Sequence, residues 1–185
     1  MKKLLIVVSV YRQGERIHPI IPSLNDDFDL SLLSVHQMNY KQQWNGSIDM
    51  RDEFHKRYDS YFEHIHNDWT KVDYSKYDAI LFDDCRDKGH EIPTMIIYSI
   101  AKQNNIKVFA NQHGNRDFTN KSFEINHYKK VFDYCFLFGK FQRDKFSKFI
   151  NQDAFLLGGI PSNDNLKNYE RTNENILVIL LIYFR

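Results

Sequence analysis

The sequence predicts an α/β fold built on an open parallel sheet with helices on both faces. Three observations lead to this prediction. The apolar run at 4–10 is unbroken, which is typical of a strand that is buried on both faces. From residue 78 onward, short apolar runs alternate with segments of helical pattern, as in consecutive βα units. Hydrophobic residues make up 42% of the 185 residues, enough to form the core of one domain of ordinary size.

The first half of the chain is less regular than the second. It predicts a strand at 4–10, a long loop at 11–29 and a short helix at 31–43. Residues 50–69 predict the clearest helix, because large apolar side chains recur there at three- and four-residue steps and form one stripe. The members of the stripe are Phe54, Tyr58, Phe62, Ile65 and Trp69. Core packing explains this stripe better than a ligand-binding role.

The second half has a regular alternation of strands and helices. Pro93 fits the first turn of a helix, where the N–H that proline lacks would have no intrahelical partner. The strands are predicted at 78–83, 106–110, 133–138 and 154–157, and the helices at 93–103, 124–130, 141–150 and 162–169. This order implies parallel strands joined by crossover helices.

Each end of the chain carries an apolar run. Residues 4–8 follow a basic start as in a signal peptide, but no small-residue cleavage site follows, so they predict a strand. Residues 176–184 are too short for a membrane-spanning helix and predict a buried strand. We therefore expect a domain at 1–174 and, at 175–185, the first strand of a truncated second domain. An uncovered apolar strand favours self-association through 176–184.

Charge and cysteine content exclude several classes of protein. The chain has 25 Lys and Arg against 24 Asp and Glu, a net charge of +1, so we expect no nucleic-acid partner held by overall charge. Two cysteines cannot form a disulfide scaffold. Cys85 and Cys135 are expected to be buried free thiols, which places the protein in the reducing cytoplasm.

A polar loop follows the predicted strand at 106–110 and is the first candidate site. In an open parallel sheet, ligands bind outside the carboxyl ends of the strands. His113 brings an imidazole that titrates near neutral pH and suits a general base. Gly114 lets backbone approach a ligand, and Arg116 can hold an anion. The alternative is a polar turn whose histidine makes a structural hydrogen bond.

A second candidate site follows the predicted strand at 154–157. Gly158 and Gly159 allow close backbone approach, and Ser162 can cap a helix whose free amides suit an anion. Asn163 and Asp164 complete the turn. The Gly-Lys-Ser/Thr ending of a P-loop is absent, as is a GxGxxG fingerprint. The alternative is a tight, capped turn between a strand and a helix.

Acidic and histidine residues offer weaker candidates for a site. The charge-mixed loop at 83–91 begins with paired acids that could act as bases or hold a metal, although such loops are more often solvated. His55, His64 and His66 fall in the predicted helix at 50–69, where residues two apart point to different sides. No HExxH pattern is present, so we expect no metal site.

Four short motifs together resemble a known family. They are Gln112-His113-Gly114, the strand and glycine at 132–139, the segment at 141–146 and the turn at 158–166. The succession resembles the N-terminal domain of the CDP-glycerol glycerophosphotransferase-like enzymes and related glycosyltransferases of capsule or surface polysaccharides. Gly139 stands where that family has Ser, Ile160 where it has Tyr, and Ser162 where it has an Arg that could hold phosphate.

The resemblance implies a fold and an activity. The fold is the GT-B arrangement, in which two Rossmann-like domains face a cleft and the second domain binds the nucleotide-linked donor. The activity is transfer of a sugar or polyol-phosphate to a hydroxyl of a cell-surface polymer such as teichoic acid. His113 is then the general base. Gln112, Gly114, Asn115, Arg116, Gly158, Gly159, Ser162, Asn163 and Asp164 would bind the substrate.

The resemblance also implies partners. We expect a polymer or lipid-linked acceptor and no cofactor or metal in this chain, which would be inactive without the donor domain. The basic and aromatic helix around 140–149 favours peripheral contact with the inner face of the cell membrane, or else covers the sheet with a solvated basic side. Two alternatives remain open, a flavodoxin-like or other small-ligand binding module and an inactive fragment.

Overall fold

A computed structural model describes residues 1–8, 17, 20–35, 58–83, 92–112, 132–147 and 151–159. The strands are β1 (Lys2–Val8), β2 (Phe28–Ser34), β3 (His64–His66), β4 (Ala79–Phe82), β5 (Lys107–Asn111), β6 (Tyr134–Leu137) and β7 (Phe155–Leu157). The helices are α1 (Ile21–Asn25), α2 (Ile92–Gln103) and α3 (Lys140–Phe146). Short 3-10 turns lie at Asp59–Tyr61, Trp69–Lys71, Tyr74–Lys76 and Gln152–Ala154.

The described strands form one sheet in the order β3-β2-β1-β4-β5-β6-β7. Every neighbouring pair is parallel. β1 lies in the interior of the sheet, with Leu5 paired with Ser31 of β2 on one side and with Ile80 of β4 on the other. The predicted fold class, an open parallel sheet of α/β type, is confirmed.

Both faces of the sheet are covered, as the unbroken apolar strands require. On one face, Ile97 and Ala101 of α2 and Phe146 of α3 are buried against the strands. The strand residues on that face include Leu5, Val7, Leu33, Ile80, Phe82, Val108, Ala110, Cys135 and Leu137. On the other face, Ile21 of α1 and Phe62 are buried with Leu4, Ile6, Val8, Leu30, Leu32 and Leu81. Cys135 is buried and forms no disulfide, as predicted, and Cys85 lies outside the described residues.

The connection from β3 to β4 covers the sheet without a long helix. It consists largely of the turns at Trp69–Lys71 and Tyr74–Lys76, and it buries Val72, Tyr74 and Tyr77 in the same core cluster as α2. The Tyr74 hydroxyl donates to the backbone oxygen of Trp69 at 2.8 Å, which holds the two turns together. The buried Tyr74 ring is the reason that the pKa of its hydroxyl is raised.

The helix predicted at 50–69 is helical at Tyr58 and is wrong from Asp59 onward. Phe62 has extended backbone, and β3 follows at His64–His66. Two local competitors explain the difference. The Glu63 N–H donates to Leu30 O at 2.8 Å, which draws the segment into the sheet. The Asp68 carboxylate accepts from the Thr70 N–H at 3.0 Å, which begins a new turn instead of continuing a helix.

The loop predicted at 11–29 and the helix predicted at 31–43 are also wrong where they are described. Ile21–Asn25 is helical, with Pro22 near its start, where proline is tolerated. Phe28–Ser34 is a strand, because pairing with β1 along its whole length buries Leu30, Leu32 and Leu33. The strands predicted at 4–10, 78–83, 106–110, 133–138 and 154–157 are confirmed in position. The elements predicted at 124–130, 162–169 and 176–184, and the domain division at 175, lie outside the described residues.

Helix α2 ends where the sequence permits a left-handed residue. Asn105 has a φ of 57°, a conformation that asparagine tolerates better than most side chains. This turn lets the Ile106 N–H donate to Ala101 O at 2.9 Å and directs the chain into β5. The turn at Asn105 therefore fixes the last turn of α2 in place, at the amino ends of the strands.

One carboxylate connects α2, β5 and β6. Asp133 accepts from Lys102 Nζ at 2.6 Å through one oxygen and from the Val108 N–H at 2.9 Å through the other. The hydrogen bond to Asp133 is the main reason that the pKa of Lys102 is raised. Asp133 therefore closes the amino end of the β5–β6 pair.

Replacing Asp133 with alanine is expected to destabilise the protein by about 1–3 kcal/mol, because the partly buried Val108 N–H loses its acceptor. Lys102→Ala removes only the ion pair, and the Lys102 side chain is 44% exposed, so its cost is expected to be below about 1 kcal/mol. Urea unfolding of both variants measures the difference. Equal losses would show that the backbone hydrogen bond contributes nothing beyond the ion pair.

Candidate functional site

The carboxyl ends of the seven described strands meet along one edge, because all the strands are parallel. The strand order reverses between β1 and β4, since β2 and β3 lie to one side of β1 while β4 to β7 lie to the other. Ligands of open α/β sheets bind in the crevice outside the carboxyl ends at such a reversal. The candidate site is therefore the carboxyl edge at and beside this point.

Several polar side chains are buried at this edge, and two of them lie beside the reversal, at the ends of β4 and β5. Asp83 directly follows β4 and is 2% exposed, and Asn111 ends β5 and is 6% exposed. The register pairs Phe82 with Ala110, so Asp83 and Asn111 continue neighbouring strands and point to the same face of the sheet. The Asp83 N–H donates to Val7 O at 3.1 Å, which places this carboxyl group beside the end of β1.

The Asn111 amide has spare hydrogen-bonding capacity. Its side-chain nitrogen is buried and has no hydrogen-bond partner among the described residues. A buried donor without an acceptor costs about 1–3 kcal/mol, so native proteins seldom leave one unpaired. The geometry therefore favours an acceptor that the described segments do not supply, from another part of the chain or from a ligand.

The predicted site residues include neither of these two, although the paired acids that begin with Asp83 were considered as possible bases or metal ligands. The loop at 83–91 was expected to be solvated, but its first residue, Asp83, is buried. Asn111 was expected in a polar loop, but it is the last residue of β5. A polar residue that directly follows an apolar run is the pattern that could have identified both, because that position lies at the carboxyl edge of a parallel sheet.

Gln112 directly follows β5 at the carboxyl edge, and its side chain is fully buried, which does not fit the exposed substrate-binding position predicted for it. Its N–H donates to Phe136 O at 2.9 Å, and its Oε1 accepts from the Phe138 N–H at 3.0 Å. These two bonds continue the β5–β6 ladder beyond the end of the strands. Gln112 is therefore suited to position the segment that begins at His113.

Gly158 and Gly159 lie at the same edge, after β7. A Cβ on Gly158 would come within 3.3 Å of the Phe136 side chain, and Gly159 has a φ of +70°, which L side chains rarely adopt. Both positions therefore favour glycine. The Gly158 N–H donates to Leu137 O at 3.0 Å and continues the β6–β7 ladder.

The fold brings together the described members of both predicted sites. Gln112 follows β5 and Gly158 follows β7, with β6 between them. The predicted general base and the other predicted substrate-binding residues lie outside the described residues. They are His113, Gly114, Asn115, Arg116, Ser162, Asn163 and Asp164.

The sequence predicts that His64 and His66 lie in a helix, and this prediction is wrong. His64 and His66 are two apart on a strand and share a face, with ring centroids 6.2 Å apart. His55 lies outside the described residues. Within the ranges that the structure describes, no group of three His, Cys, Asp or Glu side chains could hold a metal ion.

His66, at the end of β3, instead forms a hydrogen bond with a side chain of the connection that leads to β4. Its Nε2 lies 2.8 Å from the Tyr77 hydroxyl. Burial is the main reason that the pKa of His66 is lowered, and the neighbouring His64 adds to the effect. Burial likewise raises the pKa of Tyr77, partly offset by a hydrogen bond with Ser31. The neutral imidazole is therefore favoured, as expected for a histidine with a packing role.

Helix α3 covers the sheet through its aromatic side. Phe146 is 4% exposed, and its ring centroid lies 5.6 Å from that of Phe155. Phe141 is 63% exposed, and Lys140 is also exposed. Lys148 and Phe149 lie outside the described residues. Within the described part of the chain, no helix has the length and apolar character needed to cross a bilayer.

No protein-family model matches the chain, and no curated protein matches it. Several solved structures, however, match the chain. A UDP-GlcNAc 2-epimerase from Neisseria meningitidis bound to UDP-GlcNAc matches with a TM-score of 0.57 and 14% identity, over 89% of this chain and 48% of that one. One from Rickettsia bellii matches with a TM-score of 0.59 and 14% identity, over 90% and 48%. S. aureus MnaA in complex with UDP matches with a TM-score of 0.54 and 14% identity, over 92% and 48%.

The chain thus spans about half the length of the solved structures that it matches. At 14% identity, the likeness concerns the fold. The seven-stranded parallel sheet with helices on both faces agrees with it. The described chain is therefore a Rossmann-like α/β domain, similar to about half of each of these GT-B-type structures.

Proposed function

We propose that this chain is the acceptor-side Rossmann-like domain of a GT-B-type enzyme that processes nucleotide-linked sugars. The observation that carries the proposal is the reversal of strand order between β1 and β4, where Asp83 and Asn111 are buried at the carboxyl edge. Three structural neighbours support the substrate class, since their names specify UDP-GlcNAc or UDP.

The reaction proposed is transfer to a hydroxyl group of a polymer or lipid-linked acceptor. The acceptor oxygen forms the new bond to the transferred sugar or polyol-phosphate, the bond to the nucleotide leaving group breaks, and His113 accepts the hydroxyl proton. His113 directly follows Gln112, whose side chain is bonded to the Phe138 N–H at the carboxyl edge. Asp83 is the second candidate for the base, because it is a buried carboxyl group at the reversal.

The remaining predicted residues have supporting roles in this scheme. Gly114, Asn115 and Arg116 would bind the acceptor, together with the turn that begins at Gly158 and includes Ser162 to Asp164. The donor would bind a second Rossmann-like domain. Peripheral membrane contact through the exposed Phe141 and Lys140 remains part of the proposal.

A second candidate reaction is inversion of the sugar at C2, because the structural neighbours include UDP-GlcNAc 2-epimerases. The two reactions differ in their products. Transfer releases the free nucleotide, whereas epimerisation leaves the sugar attached to UDP and changes only its stereochemistry. Transfer is our proposal, since the motifs at 112–114 and 158–166 resemble those of transferases.

The test is a product assay on the full-length protein that carries this domain, with UDP-GlcNAc or CDP-glycerol as donor and a surface polysaccharide as acceptor. Release of UDP or CMP together with labelled polymer is the expected result. Conversion of UDP-GlcNAc into its C2 epimer without nucleotide release would replace transfer with epimerisation. If neither donor is consumed, the proposal fails and a binding module or an inactive fragment is the better description.

A further inference from the structure

A pocket lies apart from the carboxyl edge. It is formed between the turns at Trp69–Lys71 and Tyr74–Lys76 and the last part of α2, which supplies Ile100 and Asn104. Its volume is about 500 Å³, and it is a shallow depression that is open to solvent on one side. The last turn of α2 lies at the amino ends of the strands, so this pocket is distinct from the proposed catalytic edge.

Part of the pocket lining is apolar, and this part is called the floor here. Trp69, Val72 and Ile100 line it, and all three pack on the core cluster that covers the sheet. Two contacts hold this floor in place, the core packing and the hydrogen bond from the Tyr74 hydroxyl to the Trp69 backbone oxygen at 2.8 Å. The pocket is therefore preformed, which lowers the cost of ordering it on binding.

The polar part of the lining, called the rim here, presents hydroxyl and amide oxygens as acceptors and the second N–H of the Asn104 amide as a donor. The Thr70 hydroxyl already donates to Asp68 at 2.6 Å, and the Ser75 hydroxyl donates to Asp73 at 2.6 Å. The Asn104 side-chain N–H group donates to Ile100 O at 2.9 Å. The oxygen lone pairs of the two hydroxyls and of the Asn104 amide remain available. A complementary ligand must therefore bring donors of its own.

The charges around the rim are balanced. Lys71 lies 3.2 Å from Asp68, and Lys76 lies 3.5 Å from Asp73. Among the described residues, those that line the pocket include one carboxylate and no lysine or arginine, which disfavours a phosphate or a nucleotide. Because Lys76 already pairs with the Asp73 carboxylate, an organic cation would gain little binding free energy from it. A neutral ligand fits best.

We propose that this pocket binds a neutral saccharide. A pyranose ring has an apolar C–H face, which suits the indole of Trp69 with Val72 and Ile100, and hydroxyl groups that donate to the acceptors of the rim. The site goes beyond the proposed function and does not depend on it. No residue of the carboxyl edge takes part.

The test is calorimetric titration of the intact chain with the neutral trisaccharide maltotriose. Ser75→Phe places a large side chain at the exposed rim without removing any core atom, and it is expected to weaken binding at least about tenfold. Ser99→Phe is the matched control, because Ser99 is exposed on α2 and does not line the pocket. It should bind maltotriose as the parent does. Thermal unfolding verifies that both variants remain folded.

Trp69→Ala gives a second measurement, because loss of the indole should also weaken binding at least about tenfold. Absence of maltotriose binding to the parent chain would overturn the proposal, as would equal affinity in Ser75→Phe and the parent. Tighter binding of glucose 6-phosphate or spermidine than of maltotriose would overturn the assignment to a neutral ligand. None of these outcomes bears on nucleotide release, so the two proposals fail separately.

Discussion

Replacing His113 with alanine is expected to lower the turnover of the full-length enzyme by about 10²-fold or more, the usual loss when a general base is removed. The reason is its position directly after Gln112, where the carboxyl edge meets the substrate in the proposed scheme. Nucleotide release under saturating donor measures the effect. Acceptor affinity should change less than turnover, because the base acts on the transferred proton.

His64→Ala is the matched control for this experiment. The His64 side chain is 59% exposed and lies on the terminal strand β3, with three strands between it and β5. Its replacement should leave turnover unchanged. Unchanged turnover in His113→Ala would assign the base to another residue, and Asp83→Asn then becomes the decisive variant.

Replacing Phe82 with alanine is expected to destabilise the protein by about 3–5 kcal/mol, the cost of deleting a buried aromatic ring. Phe82 is 1% exposed and ends β4, between Val7 of β1 and Ala110 of β5. A cavity here would open next to the reversal of strand order. For a protein of this size, each kcal/mol lowers the melting temperature by about 2–4 °C, so thermal unfolding resolves the loss.

Phe141→Ala is the same substitution at an exposed position of α3. Phe141 is 63% exposed, so its loss should change stability by no more than about 0.5 kcal/mol. Similar melting temperatures for the two variants would contradict the placement of Phe82 in the core. A large loss of stability in Phe141→Ala alone would show that the Phe141 side chain is covered in solution.

The resemblance to transferases and the structural likeness to epimerases agree at the level of the fold. Both indicate a Rossmann-like α/β domain. The CDP-glycerol specificity has no support from the structural neighbours, whose names specify UDP or UDP-GlcNAc. The choice of donor therefore depends on the product assay.

The candidate site could be predicted in part from the sequence. Polar residues directly after apolar runs mark the carboxyl edge, so the placement of Gln112 and Gly158 there followed from the strand assignment alone. The burial of Asp83 and Gln112, in contrast, could not be predicted from the sequence. The burial of Asp83 depends on its bond to Val7 O, and that of Gln112 on its bonds to Phe136 and Phe138, which are distant in sequence.

The sequence by itself determined the fold class and most strands. The interior strands β1, β4 and β5 are buried strongly enough to require unbroken apolar runs, which a periodicity argument detects. Only the tertiary structure decided β2, β3 and the turns around them. The apolar stripe from Tyr58 to Trp69 is compatible with one continuous helix. It is equally compatible with the observed series of a 3-10 turn, the edge strand β3 and a second 3-10 turn. Pairing with β2 selects the second arrangement, because backbone hydrogen bonds to a neighbouring strand outweigh a weak local preference.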